Sequence, residues 1–167
     1  MSQLKVGDKF PDGVTFTYIP YSQDRLEINA CGVPIKYDAS KEFAGKKVVL
    51  FAVPGAFTPG CSSKHLPGYI TNLPKLKEKG VDIIACIASN DPYVMSAWGK
   101  ANHIMNDDIF FLCDPGLQFS KKLGWTSGDR TMRYALIIEN DGTISYAEKE
   151  TTPEVTVSSA EAVLAKL

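Results

Sequence analysis

Cys61 follows a run of turn-forming residues, Pro54-Gly55-Ala56-Phe57-Thr58-Pro59-Gly60, and His65 stands four positions beyond it. A cysteine attacks as the thiolate. The start of a helix, with its unpaired N–H groups and positive dipole end, favours that form. Thr58, three residues earlier in the same turn, can hold a hydroxyl beside the sulfur. A fixed cation would help, and arginine suits the task because it stays charged and donates from a planar fork. Arg133 is the first candidate, since it begins a strand expected to run beside the one that leads to Cys61; Arg130 is the second. Pro54 and Pro59 stiffen the loop and can shield the sulfur from bulk water. Gly60, Phe57 and His65 are assigned to the substrate pocket.

Plainer readings compete with these. A cysteine can be a small buried residue and nothing more, but the loop before Cys61 is unlike a simple connector. His65 shares a helix face with Cys61 and could be the base of a Cys/His pair. No Asp or Asn is evidently placed to orient it, so the preferred reading is a polar residue at the rim of the site. A metal held by Cys61 and His65 lacks further ligands.

The other cysteines are Cys31, Cys86 and Cys113. Their spacing fits neither a CxxC redox motif nor paired zinc knuckles. The first residues lack the apolar core of a secretory signal, so the expected compartment is reducing and static disulfides are not expected. Cys86 lies mid-strand among apolar residues and reads as core. Cys113 ends a strand just before Asp114-Pro115 and reads as core or half-exposed. Cys31, beside Gly32 and ahead of Pro34, lies in a loop where an accessible thiol can exchange.

The elements that must position Cys61 follow from the hydrophobic pattern. Lys47–Ala52 is a continuous apolar strand of the kind covered on both faces. Leu66, Tyr69, Ile70, Leu73 and Leu76 recur at helical spacing up to Gly80, broken locally by Pro67 and Pro74, with Pro67 expected to bend that helix. Val81–Ala88 and Ile109–Leu112 read as further buried strands. Asp91 and Pro92 cap and open a helix over Tyr93–Ala101, and a second helix over Leu117–Leu123 stops at Gly124. Arg133–Glu139 and Thr143–Ala147 flank Asn140-Asp141-Gly142, a hairpin signal. Ser158 or Ser159 caps a final helix. Before all this, Val14–Ile19 reads as a strand, Glu27–Ala30 as its short partner, and Ser40 as the cap of a turn over Lys41–Ala44 closed by Gly45. The expected fold class is α/β, a central mixed sheet with helices on both faces and an N-terminal β-hairpin extension, in one domain over residues 1–167.

The chain has 167 residues, a formal net charge of −1, 44% apolar and 22% charged residues. That balance argues against an electrostatic nucleic-acid binder, and no apolar run is long enough to cross a membrane.

The stretch Pro54–Cys61, continued by His65-Leu66-Pro67-Gly68-Tyr69, resembles the active-site signature of the peroxiredoxin-5 subfamily of peroxiredoxins. The likeness extends through Asn90–Trp98, Asp114-Pro115, the Arg133 strand and the last helix, and is greatest to fungal members. It implies a thioredoxin-like fold and thiol-dependent reduction of H₂O₂ and alkyl hydroperoxides with no metal or organic cofactor. On that resemblance Cys61 matches the peroxidatic cysteine, Thr58 the threonine that binds the peroxide, Pro54 the shielding proline and Arg133 the active-site arginine. Cys31 lies where similar fungal members carry a second cysteine and is the implied resolving thiol. Thioredoxin is the implied reductant, with glutathione and glutaredoxin the alternative, and a homodimer the implied assembly. The expected location is cytoplasmic, with Ala165-Lys166-Leu167 offering a peroxisomal alternative. Two rival readings remain: a thioredoxin-fold redox sensor or chaperone without turnover, and a cysteine hydrolase using His65 or His103.

Overall fold

The structure, a computed structural model, describes residues 3–167; Met1 and Ser2, part of the N-terminal stretch read above for a signal, lie outside the described residues. In chain order the elements are β1 (Thr15–Tyr18), β2 (Ile35–Asp38), α1 (Ala39–Glu42), β3 (Val48–Ala52), α2 (Leu66–Thr71), α3 (Leu73–Glu78), β4 (Ile83–Ala88), α4 (Pro92–Ala101) and β5 (Phe110–Cys113). They continue with α5 (Gln118–Leu123), β6 (Thr126–Ser127), β7 (Arg130–Thr131), β8 (Tyr134–Ile138), β9 (Ile144–Lys149) and α6 (Ala160–Leu164).

Seven strands form one sheet in the order β2-β1-β5-β4-β3-β8-β9. The central pairs β3/β4 and β4/β5 are parallel, and the outer pairs are antiparallel. Strands covered on both faces need apolar residues at every position, and all five residues of β3 and of β8 are buried. Alternation sorts them. Val49, Phe51, Val53, Cys86, Ala135 and Ile137 face a core shared with α2, α3, α4 and α6. Val48, Leu50, Ala52, Ile87, Leu136 and Ile138 face the opposite core, with Phe43, Phe119 and Leu123.

Three local expectations change. The partner of β1 is Ile35–Asp38, in register Phe16↔Tyr37, so Glu27–Ala30 is not the second strand of the hairpin. Only Tyr37 of β2 is buried, and a single buried position gives little alternation to find in a sequence. The cap of α1 is Asp38, whose carboxylate accepts from the Lys41 N–H at 3.3 Å. Ser40 instead donates its hydroxyl to the Pro11 carbonyl at 2.7 Å and accepts from the Val14 N–H at 2.9 Å. Pro67 does not break the helical run after Cys61; it follows directly on the widened turn over Cys61–His65, in the first turn of α2. The break expected at Pro74 does occur, at Asn72, and Pro74 stands in the first turn of α3. Other expectations hold. Asp91 caps α4 by accepting from the Val94 N–H at 2.9 Å, and Ser159 caps α6 through the Ala162 N–H at 3.1 Å.

Candidate active site

The chain leaves β3 through Val53, whose N–H donates to the Ile87 carbonyl at 3.0 Å. The Ala56 N–H donates to the Asn90 side-chain oxygen at 2.8 Å, so the residue ahead of the α4 cap pins the loop from the neighbouring strand end. Phe57 is exposed and takes the left-handed conformation, with φ of 60°. Thr58 donates its hydroxyl proton to the Gly55 carbonyl at 2.6 Å, and its own carbonyl accepts from the Ser62 N–H at 2.9 Å. The hydroxyl oxygen, its proton committed, is left as an acceptor. A helical turn opens at Pro59 and Gly60 and widens into a π-helical turn over Cys61–His65 before α2. Such single wide turns recur at functional positions.

Cys61 is fully buried. Its Sγ accepts from Arg133 Nη2 at 3.2 Å. The pairing Ala52↔Tyr134 explains how residues so far apart in sequence meet: Arg133 directly precedes β8, at the end of β3 from which the Cys61 loop springs. Arg133 is thus where the sequence placed it. Arg130, the second candidate, lies exposed on β7 with its guanidinium against Gly55. Gly60 is a close approach as well: a Cβ there would stand 3.2 Å from Arg133 Nη2. Pro54 is half-buried between Val53 and Gly55.

His65 departs from expectation. It is 1% exposed, so it is no rim residue. Arg133 Nη1 donates to its Nδ1 at 2.9 Å. A guanidinium has only donors, so Nδ1 is the bare nitrogen and Nε2 carries the proton; Nε2 donates to the Ser158 carbonyl at 2.9 Å. Both ring nitrogens are therefore occupied by groups other than Cys61, which removes the geometry of a Cys/His hydrolase built on His65. Burial pushes the pKa of His65 down from 6.5 to about 3, and the Arg133 charge acts in the same direction against the opposing Ser158 bond. The imidazole is a neutral acceptor that holds one arm of the guanidinium while the other faces sulfur.

Cys86 and Cys113 are buried in strands, as the sequence suggested. Burial pushes the Cys86 thiol well above its ordinary value, and the adjacent Cys61 adds to the effect. Burial likewise raises Cys113. Cys31 is exposed, with its sulfur 3.7 Å from the Asn29 carbonyl. The structure does not bring Cys31 and Cys61 together. With Cys61 fully buried, the two can meet only after one segment moves. Both segments touch α4: Trp98 Nε1 donates to Ser62 Oγ at 3.1 Å, and Lys100 Nζ donates to the Glu27 and Ala30 carbonyls at 3.1 and 2.7 Å. Asn90 and Ser158 were not singled out from the sequence as site residues. An Asn ahead of an Asp-Pro helix start was the one available signal for Asn90, and Ser158 showed only as a helix cap.

Comparison with known proteins bears on this arrangement. The family described as Redoxin matches residues 5–164. Peroxiredoxin Pen c 3 of Penicillium citrinum is 58% identical over 166 residues, which covers 98% of this chain and 99% of that protein. A putative peroxisomal peroxiredoxin of Lipomyces kononenkoae is 44% identical over 96% of this chain and 99% of its own length. Reduced Prx3 of Vibrio vulnificus in complex with H₂O₂ superposes with a TM-score of 0.82 at 40% identity, covering 98% of each chain. The expected thioredoxin-like fold is borne out, and peroxiredoxin-5-type structures are among the neighbours.

Proposed function

This chain belongs to the peroxiredoxin family and is a thiol-dependent peroxidase, and from that premise we propose which of its residues act and how. The single observation that carries the reading is the Arg133 guanidinium, held by His65 and pointed at the Cys61 sulfur at 3.2 Å. Cys61, as thiolate, attacks one oxygen of the peroxide. The S–O bond forms as the O–O bond breaks, and Cys61 becomes a sulfenic acid. The other oxygen leaves as alkoxide or hydroxide and is protonated to alcohol or water. Thr58 Oγ1 accepts from the peroxide O–H, which fixes which oxygen faces sulfur. Arg133 stabilises the charge that moves onto the leaving oxygen. Gly60 keeps the space that lets the guanidinium approach, and Pro54 and Phe57 flank the site as shield and wall. No metal or organic cofactor takes part.

Cys31 then attacks the sulfenic sulfur, a disulfide forms and water leaves. Thioredoxin, through its dithiol, returns both thiols to the reduced form. Exposure of Cys31 supports this role, since exchange needs an accessible thiol. The disulfide is assigned to a homodimer, Cys31 of one subunit with Cys61 of the other, and the chain acts as a single domain. Non-reducing electrophoresis after one equivalent of peroxide tests it. A dimer band is expected, and it disappears in Cys61→Ser and in Cys31→Ser alike. A monomer with an internal Cys31–Cys61 link moves the bridge within one chain, and a bridge that survives Cys31→Ser sinks the assignment. Peroxide consumption with a thioredoxin system is expected to fall more than about a thousandfold in Cys61→Ser, as for loss of an enzyme nucleophile. A chaperone or sensor would keep its function without that sulfur.

The cytoplasm is the proposed location. Ala165 and Lys166 are exposed, whereas Leu167 is half-buried against the core that also holds Cys61. Use of Ala165-Lys166-Leu167 as a peroxisomal address therefore requires this leucine to come off the core. A tag fused after Leu167 redistributes the protein if that address is read and leaves it in place if it is not.

A further inference from the structure

Glu150 lies just past the end of β9, buried at 5% exposure, and no lysine or arginine pairs with it among the described residues. A buried carboxylate without a cation needs hydrogen bonds in its place. Glu150 has four. Its Oε1 accepts from the N–H groups of Thr156 at 2.6 Å and Ser158 at 2.8 Å, and from the Ser158 hydroxyl at 2.8 Å; its Oε2 accepts from the Thr156 hydroxyl at 2.7 Å. Residues 151–157 form neither helix nor strand and none is buried. Hydrophobic packing does little for this segment, and the one carboxylate gathers its far end.

That far end is Ser158, whose carbonyl accepts from both His65 Nε2 at 2.9 Å and Tyr69 Oη at 2.8 Å. Glu150 also reaches the site along the main chain, because its N–H donates to the Arg133 carbonyl at 2.9 Å. A continuous path therefore runs from the carboxylate to the Ser158 backbone, to the His65 ring, to the Arg133 guanidinium and to the Cys61 sulfur. Each link constrains the next. The Ser158 carbonyl keeps the proton on Nε2, that proton leaves Nδ1 bare, and a bare Nδ1 is what Arg133 Nη1 requires.

We propose that Glu150 is a positioning residue for the peroxide step, acting through Ser158 and His65 to hold the Arg133 fork against Cys61. The proposal rests on the reading of Cys61 and Arg133 given above. A glutamine at 150 keeps the size of the side chain but removes the negative charge, so the three bonds to its oxygen weaken and its NH₂ reverses the bond to the Thr156 hydroxyl.

The test is the second-order rate constant for H₂O₂ oxidation of Cys61, followed by Trp98 fluorescence in stopped flow. Glu150→Gln is expected to lower it about tenfold, the scale of losses when an outer residue stops orienting an inner one. In an Arg133→Ala background the same substitution is expected to cost less than about twofold, because there is no longer an arginine to position. A full tenfold loss in that background, or less than a twofold loss in the unsubstituted chain, overturns the proposal. If Glu150→Gln does not fold, Thr156→Val carries the test. It removes one of the four bonds on an exposed segment and is expected to slow the step about threefold, again only when Arg133 is present. Nitrogen NMR of His65 gives a readout that general loosening would not imitate: a shift of tautomer away from Nε2–H is expected in Glu150→Gln, and an unchanged tautomer with a slowed rate overturns the path. Arg133→Ala and Cys61→Ser separate the two levels of the argument. If either keeps the full peroxide rate, the site reading itself falls; if both lose it while Glu150→Gln does not, this inference alone falls.

Discussion

The segments around Cys61 and Cys31 carry the same side chain under opposite physical conditions. Around Cys61 every neighbour is fixed: Asn90 holds the loop, Thr58 is tied to Gly55, Trp98 to Ser62, and Arg133 is gripped by a buried imidazole. Around Cys31 the chain has a single 3₁₀ turn, Gln23–Arg25, and exposes Leu26, Ile28 and Val33. Two bonds from Lys100 anchor its base. A peroxide is small and diffuses to a site that can wait for it, so the first step favours precision. The proposed second step would join two protein sulfurs that begin apart, which favours a segment that is cheap to move.

The largest effect that would break this contrast concerns Arg133. Arg133→Ala is expected to slow Cys61 oxidation about a hundredfold, the scale seen on losing one donor to a developing oxyanion. Cys31→Ser is expected to leave that same rate within about twofold. Stopped-flow Trp98 fluorescence measures both, and a comparable loss in the two variants would erase the distinction between the segments.

The next effect is on stability and belongs to His65. Its folded-state pKa of about 3 lies below the ordinary 6.5, so between those values the unfolded chain binds a proton that the folded chain refuses. Stability is thus full above about pH 6.5 and lost as pH falls towards 3, by up to roughly 5 kcal/mol from the size of that shift. Glu150 adds a loss at lower pH, since its four donors outweigh its burial and hold its carboxyl below the usual value. Urea titrations at pH 7, 6, 5 and 4 should show the decline, with a shallower slope in His65→Gln over the upper part of the range. An equal slope in both proteins would mean that His65 is not buried neutral.

The smallest effect lies in the other segment. Lys100→Met removes two bonds to the Cys31 loop and is expected to raise its local opening about fivefold, from loss of about 1 kcal/mol. Chymotryptic cleavage at Tyr21 and Leu26 should accelerate by that factor, with the urea midpoint nearly unchanged. A large midpoint shift would mean that the loop is part of the cooperative core.

The same contrast governs what could be seen in the sequence. The Cys61 side was legible because its signals are local and chemical: Pro and Gly punctuation, a threonine one turn before a cysteine, and an apolar strand on each side of the sheet's centre. Arg133 was legible one step further, since a strong hairpin turn at Asn140-Asp141-Gly142 fixes how β8 must return. The Cys31 side was not, because β2 buries one side chain and offers no alternation, so Glu27–Ala30 looked as good a strand as Ile35–Asp38. His65 was misplaced for a different reason. Helical spacing says which residues share a face but not what covers that face, and here the cover is Ser158, far away in the chain. Glu150 gave no signal at all: at the end of a strand it reads as an ordinary solvated charge, and its burial comes from a segment that folds back over it.

The bond between Arg133 and Cys61 spans 72 positions of sequence. On a nascent chain, the cysteine therefore exists for a long interval before its arginine has been made, and during that interval no guanidinium stands beside it. Arg133, which leads into β8, and Ser158, beyond β9, are the last to join the arrangement around Cys61 and His65. On the proposed reading, reactivity is a property of the finished fold, and a molecule whose closing hairpin has come loose would lose Arg133 from beside Cys61.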